Sequence, residues 1–375
     1  MSDARSIARS NFEFEYSECL DDALGDIRKV LLNGDYILSK YVSEFERRFA
    51  SFVGCRHGIG VNSGTDAIMI ALRSLGIGPG DEVITVANTF HATALAAAAV
   101  GARVSLVDAR EGSFLIDVDA VENAITSATR AVVVVHLYGL LADLGKLREI
   151  CRAHKLRLVE DCAQATGART ADAIAGSGGD IACFSFHPSK NLAAAGDAGI
   201  ITTDQPDLAE RCRSLRYFGQ RQRKVHSELG YNSKLDAIQS ILLAHKLPYL
   251  DDWNRKRVEA ARRYRAALTG YPVRFQDAGS DLGHVYHLFQ IRLADEATRD
   301  GLLACLRAQG VDAVVRYPAP IHLQPAFSDL GYGVGDFPVA EALAQTLLCL
   351  PIRPDLTQVE IAHVARCIGD FFGHE

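Results

Sequence analysis

The 375-residue chain is 48% hydrophobic and 23% charged, ordinary for a folded globular protein and too long for one small core, so two domains or one large one are expected. A net charge of −6 supplies no overall basic field to draw it to nucleic acid or an anionic membrane. Nine scattered cysteines without C-x-x-C spacing, a charged N-terminus and no uncharged apolar stretch of the ~20 residues a bilayer needs predict a reduced, cytoplasmic protein without structural zinc or disulfides.

Residues 1–55 read as a mostly helical segment expected to pack on a smaller C-terminal unit. From Gly58 to about Thr203, short apolar β-rich runs alternate with helical patterns. The runs are Gly58–Val61, Glu82–Val86, Val104–Asp108, Ala131–His136, Leu156–Glu160, Ile181–Ser185 and Gly199–Thr202. Val132–Val135 is apolar on both faces, as a strand covered by helices on each side must be. Between the runs, Asp66–Leu75, Thr93–Val100 and Leu144–His154 carry helical patterns, punctuated by Gly-Pro-Gly at 78–80 and by Gly101. This alternation predicts an α/β fold with a mainly parallel, doubly wound seven-stranded sheet.

After Ser233 the character changes. Leu235–Leu247 and Trp253–Leu268 read as long helices, the arginines and lysine of the second forming a solvated face. A strand at His287–Leu293, a helix near Ala297–Ala308, a short strand at Ala313–Arg316 and helices at Val339–Leu348 and Gln358–Phe371 complete a smaller α+β unit. The expected division is therefore 1–55, 56–250 and 251–375, with no internal repeat.

Chemistry-bearing residues gather at the carboxyl ends of the predicted strands, where open α/β sheets bind ligands. In Ser63-Gly64-Thr65, Gly64 permits close backbone approach and the N–H groups of a helix start suit a phosphate; the same residues also read as a plain helix cap. Asp161 either caps a turn or faces a ligand, and Gln164 either reaches the same ligand or faces solvent. Ser185 ends the next strand five residues before Lys190, close enough to hold a phosphate while the loop turns the lysine back. Phe90 either stacks on a flat cofactor or packs in the core, and His91 offers an alternative ring. A lysine amine can hold an aldehyde as a Schiff base, and a carboxylate can keep a pyridine nitrogen protonated, so Lys190 with Asp161 suggests pyridoxal 5'-phosphate (PLP).

The motifs S-G-T-D-A (63–67), E-D-C-A-Q-A (160–165), F-S-F-H-P-S-K (184–190), G-D-A-G (196–199) and G-Y-N-S-K-L-D-A-I-Q (230–239) resemble those of the DegT/StrS family of PLP-dependent sugar aminotransferases. The resemblance runs from about Asn33 to the C-terminus and implies the type I aminotransferase fold. It makes Lys190 the Schiff-base lysine and Asp161 the partner of the pyridine nitrogen. Gln164 would contact the ring oxygen, Phe90 would cover the ring, and Ser63, Gly64, Thr65 and Ser185 would hold the phosphate. Asn232 would reach the phosphate of a neighbouring subunit, so the resemblance implies a homodimer with shared sites. Tyr138, Tyr317 and His322 fall in loops similar to the family's substrate loops, and Lys234 stands where the family usually has arginine. The implied reaction moves an amino group from L-glutamate to a nucleotide-linked ketosugar. G-D-A-G resembles members acting at C3 of a 3-keto-6-deoxyhexose, with dTDP the expected nucleotide. Phe218 and Val225 replace tyrosines usual in that subclass. A 4-keto sugar or cyclitol aminotransferase, a sugar dehydratase and a non-catalytic regulatory protein are the alternatives. Neither a metal nor nucleic acid is expected.

Overall fold

The computed structural model describes residues 6–222, 224–278 and 283–373. Its central sheet contains β1 (His57–Val61), β2 (Glu82–Val86), β3 (Arg103–Val107), β4 (Thr129–Val135), β5 (Arg157–Asp161), β6 (Ile181–Ser185) and β7 (Gly199–Thr203). The spatial order is β1-β7-β6-β5-β4-β2-β3. β7 runs antiparallel to both its neighbours, while the other pairings are parallel. This is the mainly parallel seven-stranded sheet that the alternating runs predict.

Strand periodicity divides the core. Val133, Val159, Cys183 and Ile201 join α4 (Gly64–Ser74), α5 (Ala92–Ala99) and α8 (Pro206–Arg216) in one cluster. Val132, Val134 and Leu158 point the other way, towards α6 (Val118–Asn123) and α7 (Leu144–Ala153). Further along that second face, Ala182, Phe184 and Ile200 meet α3 (Lys40–Val53) and α9 (Ala237–Lys246). Successive side chains on a strand face opposite sides, so strands covered on both faces need apolar residues at every position.

β8 (Gln220–Gln222) and β9 (Val225–His226) pair as a small ribbon, and a three-stranded sheet, antiparallel throughout, holds β10 (Arg274–Phe275), β11 (Phe289–Arg292) and β12 (Leu347–Leu350), in that order. The three-stranded sheet packs with α10 (Leu250–Ala267), α11 (Glu296–Ala308) and α13 (Gln358–Phe372) around Tyr264, Phe289 and Ile368.

Several expectations are corrected here. Ala313–Arg316 forms no strand: only Val314 bridges β12, opposite Cys349, before the chain turns towards the cavity described below. α12 (Pro338–Thr346) ends earlier than its periodicity predicts, because Leu347 and Leu348 are drawn into β12 and buried against β11. Nor is the basic face of α10 wholly solvated. Arg257 is buried and donates to the Ile352 carbonyl at 2.8 Å, and Arg265 lies over the Phe275 ring. Finally, most of the N-terminal segment does not dock on the smaller unit. α2 (Leu20–Asn33) packs on α9, and α3 inserts Phe45 and Phe49 against Phe184 and Phe186 of the central core. The segment before α1 (Phe12–Tyr16) does reach the smaller unit, through the Ile7–Val311 bridge and the Arg9–Asp312 ion pair.

Glu160 in β5 is fully buried and tied down on every side. It accepts from Gly176, Gly178 and Gly179 N–H at 2.9, 2.7 and 2.6 Å and meets His136 Nε2 at 2.9 Å. His136 Nδ1 accepts from Ala142 N–H, so Nε2 is the donor to Glu160. Both groups are thereby committed to protein partners, although Cys162 lies close enough to complete a metal-sized cluster. Glu160→Ala strands these donors in the core and should cost about 3–5 kcal/mol, read as a lower urea midpoint. A midpoint equal to wild type would show that the network does not support the fold.

Candidate active site

The carboxyl ends of the parallel strands open into a cavity of about 550 Å3. Ser63, Gly64, Thr65, Phe90, Asp161, Gln164, Ser185, Lys190 and Tyr317 all line it, so most of the residues marked in the sequence do converge.

One end of the cavity is walled by the start of α4. An added side chain on Gly64 would place Cβ 2.6 Å from Ser185 Cβ, and one on Gly199 would place it 2.4 Å from the Ser63 carbonyl. The two glycines let the start of α4 settle against β6 and β7, with its free N–H groups at the cavity wall. Ser63 is also an ordinary helix cap, its hydroxyl accepting from Asp66 N–H at 3.1 Å. The capping and phosphate readings are thus compatible.

Asp161 and Lys190 face one another across the middle. The Thr93 hydroxyl donates to Asp161 Oδ2 at 2.7 Å and Ala163 N–H to Oδ1 at 3.1 Å. Burial raises the Asp161 carboxyl above its usual range, opposed by these two donors and by the charge of Lys190. Burial also lowers Lys190 to about 8, with Asp161 opposing the shift and Arg316 adding to it. Taking an ammonium out of water disfavours its charged form, and a nearby guanidinium acts in the same sense. The result is an amine that loses its proton far more readily than a solvated lysine, fit once neutral to attack a carbonyl or take a proton.

Phe90 is no core residue. It is 42% exposed, packs on His91 and stands 5.3 Å from Tyr317 between ring centroids. His91 is not among the lining residues. Gln164 is buried and does not face solvent. Its carbonyl accepts from Tyr138 N–H at 2.7 Å and its amide donates to the Tyr317 hydroxyl at 2.8 Å.

Besides His91, four marked residues lie outside the lining. Tyr138 is buried and donates its hydroxyl to the Arg316 carbonyl at 2.9 Å, so it braces the loop that carries Tyr317. His322 is buried, paired with Glu341 at 3.0 Å and set edge-on to Phe337. Asn232 is exposed and accepts from Lys234, whose ammonium lies over the rings of Tyr217 and Phe218. The sequence reading passed over Thr93, Arg257, His287, Arg316 and the strap Ala8–Ser10, all at the cavity. Only Arg316 left a signal, as a lone charge after Val314-Val315 and directly before a marked tyrosine.

The family model for DegT/DnrJ/EryC1/StrS aminotransferases matches residues 19–369. The chain belongs to that family. It is 42% identical to the dTDP-3-amino-3,4,6-trideoxy-alpha-D-glucose transaminase of Streptomyces venezuelae, over 95% of this chain and 93% of that one. It is 40% identical to the UDP-N-acetyl-3-dehydro-alpha-D-glucosamine 3-aminotransferase of Acidithiobacillus ferrooxidans, over 98% of each. A Geobacillus stearothermophilus relative named a pleiotropic regulatory protein is also 40% identical, over 96% and 97%. Among solved structures, Streptomyces venezuelae DesV in complex with a ketimine intermediate superposes with a TM-score of 0.94 at 40% identity, covering 98% of each chain. A Bacillus subtilis member solved with bound cofactor PMP, the amino form of PLP, gives 0.87 at 33%, over 95% and 82%. The cofactor of this family member is PLP, and the lysine, the buried acid and the glycine-lined end of the cavity fit it. Bound there, it supplies the electron sink that lets a carbon beside nitrogen lose a proton.

The amine of Lys190 sets a pH dependence. Capture of PLP by the apoprotein should quicken with rising pH to a midpoint near 8, as the neutral amine appears. Asp161→Asn removes the anion that favours the ammonium and should move that midpoint down. An unmoved midpoint in the Asn variant would show that the two groups do not share a field.

Proposed function

We propose that this sugar aminotransferase takes nitrogen from L-glutamate and places it at C3 of a nucleotide-linked 3-keto-6-deoxyhexose, with dTDP as the nucleotide. The observation that carries the acceptor is the site chemistry of both sugar-handling relatives above, whose names each put the amine at the 3-position. G-D-A-G adds a local reason. Asp197 of that motif lines the cavity and is exposed, whereas Ala198 beside it is buried in the core, so only Asp197 is placed to meet a substrate.

Lys190 is assigned to carry PLP and, once displaced by the donor, to take and return the proton at the reacting carbon. Asp161 is assigned to the pyridine nitrogen. Ser63, Gly64, Thr65 and Ser185 take the phosphate, and Phe90 covers the ring. Gln164 has one amide N–H left for the ring oxygen after bonding Tyr317. Asn232 stands outside its own chain's cavity, which supports its serving the site of a second copy in a homodimer.

Borohydride reduction followed by peptide mass analysis should place the cofactor on Lys190; another lysine would remove the central assignment. A panel of 3-keto and 4-keto sugars linked to dTDP and UDP tests the acceptor. The 3-keto compound should be favoured by at least ~100-fold in kcat/KM, about 2.7 kcal/mol. Equal turnover of the 4-keto isomer would overturn the C3 assignment, and preference for UDP would transfer the nucleotide assignment to the second relative's type. Mixing inactive Lys190→Ala and Asn232→Ala chains should restore activity by subunit exchange. Confirmed exchange without recovery counts against a shared site.

A further inference from the structure

Among the charged side chains lining the cavity, most are already paired. Arg9 meets Asp312 at 2.8 Å, Glu15 meets Lys246 at 3.0 Å, and Asp161 holds Thr93 and faces Lys190. Arg257 spends Nη1 on the Ile352 carbonyl, and its buried Nε has no partner among the described residues. Arg316 differs from all of these. Its backbone is clamped, the carbonyl by the Tyr138 hydroxyl and the next side chain by Gln164, yet its guanidinium has no hydrogen-bond or ion-pair partner among the described residues. Arg316 lines the same cavity as Lys190, Tyr317 and His287, and its charge acts on all three.

A guanidinium held on a clamped backbone and left unpaired matches a planar anion, which it can bind with two parallel N–H bonds. An α-amino acid carries its carboxylate on the very carbon whose proton Lys190 must take. The diphosphate of a nucleotide sugar hangs from C1, away from the ketone at C3, and the 6-deoxyhexose ring has no charge of its own. We propose that Arg316 is the receptor for a carboxylate of the amino donor, with the buried charge of Arg257 adding to the positive field. This specificity role rests on the reading of the protein as an aminotransferase using an amino-acid donor.

Three measurements on the PLP-loaded enzyme and its Arg316→Gln and Arg316→Lys variants test it. The first is the glutamate concentration that half-saturates conversion of the cofactor when no sugar is present. The second is calorimetric binding of glutarate, a dicarboxylate that has no amine and cannot react. The third is binding of dTDP-glucose, an acceptor analogue with no ketone. Losing a charged bidentate contact should raise the glutamate requirement of the Gln variant about 10- to 100-fold and remove glutarate binding, with Lys recovering part of each. Affinity for dTDP-glucose should stay within about threefold of wild type, since a contact made to only one substrate weakens only that substrate.

A glutamate requirement unchanged in both variants would overturn the proposal, as would an equal fall in affinity for the nucleotide sugar, which would assign Arg316 to the diphosphate. Should the Gln variant fail to fold or hold PLP, the Lys variant carries the same comparison, because it keeps the charge and loses only the planar fork. A wild-type enzyme that converts no amino acid at all would instead sink the aminotransferase reading, so the two failures are distinguishable.

Discussion

Glu160 and Asp161 are neighbours on β5, and both carboxylates are out of water. Alternation along a strand sends them to opposite faces, so each has to be made tolerable on its own side. On the structural face Glu160 receives three glycine N–H groups and His136, which together hold its carboxyl below the usual range despite burial. On the cavity face Asp161 receives fewer donors, and burial prevails, raising its carboxyl. The same strand thus carries one saturated carboxylate that anchors a loop and one left hungry for a cation. That difference separates scaffold from site: Thr93 donates to the carboxylate that β5 delivers, and Lys190 lines the same cavity.

The antiparallel β7 matters for the same reason. Running against β1 and β6, it brings Gly199 beside Ser63 at the sheet's ligand-binding end. The loop that carries Lys190 leaves β6 and returns to β7, closed by Phe186 N–H on the Ala198 carbonyl at 2.8 Å. Gln239 then grips both backbone groups of Ala195 from α9. Three motifs far apart in sequence are therefore one mechanical unit around the lysine.

Much of this was legible in the chain because the signals are local. Glu82–Val86 and Ile181–Ser185 were bounded correctly, since each is a short apolar run ended by turn residues. Lys190, Asp161 and Gly64 drew attention because strand ends are where such folds bind ligands, and all three line the cavity. What escaped depends on tertiary contacts. Ala313–Arg316 has strand-like composition but finds one bridging partner, and the charge on Arg257 is invisible as a buried group until the Ile352 carbonyl is brought to it. Tyr138 looked like a ligand residue because its motif does; its buried side chain instead supports the backbone of Arg316.

The strap at Ala8–Ser10 bears on how the protein is made. Its contacts, with that of Asn11 just after it, are among the most distant in the chain: Arg9 to Asp312, Asn11 to Asp355 and the Ala8 carbonyl to Arg353. A ribosome delivers residues in order, so the first of these to be synthesised wait for partners more than 300 positions later. The central sheet and Lys190 emerge long before Arg353. The strap can therefore dock on its side of the cavity only once the segment from Asp312 to Asp355 has been made. Contacts of such long sequence separation also carry the largest loop-closure cost, so docking of the strap belongs late in folding.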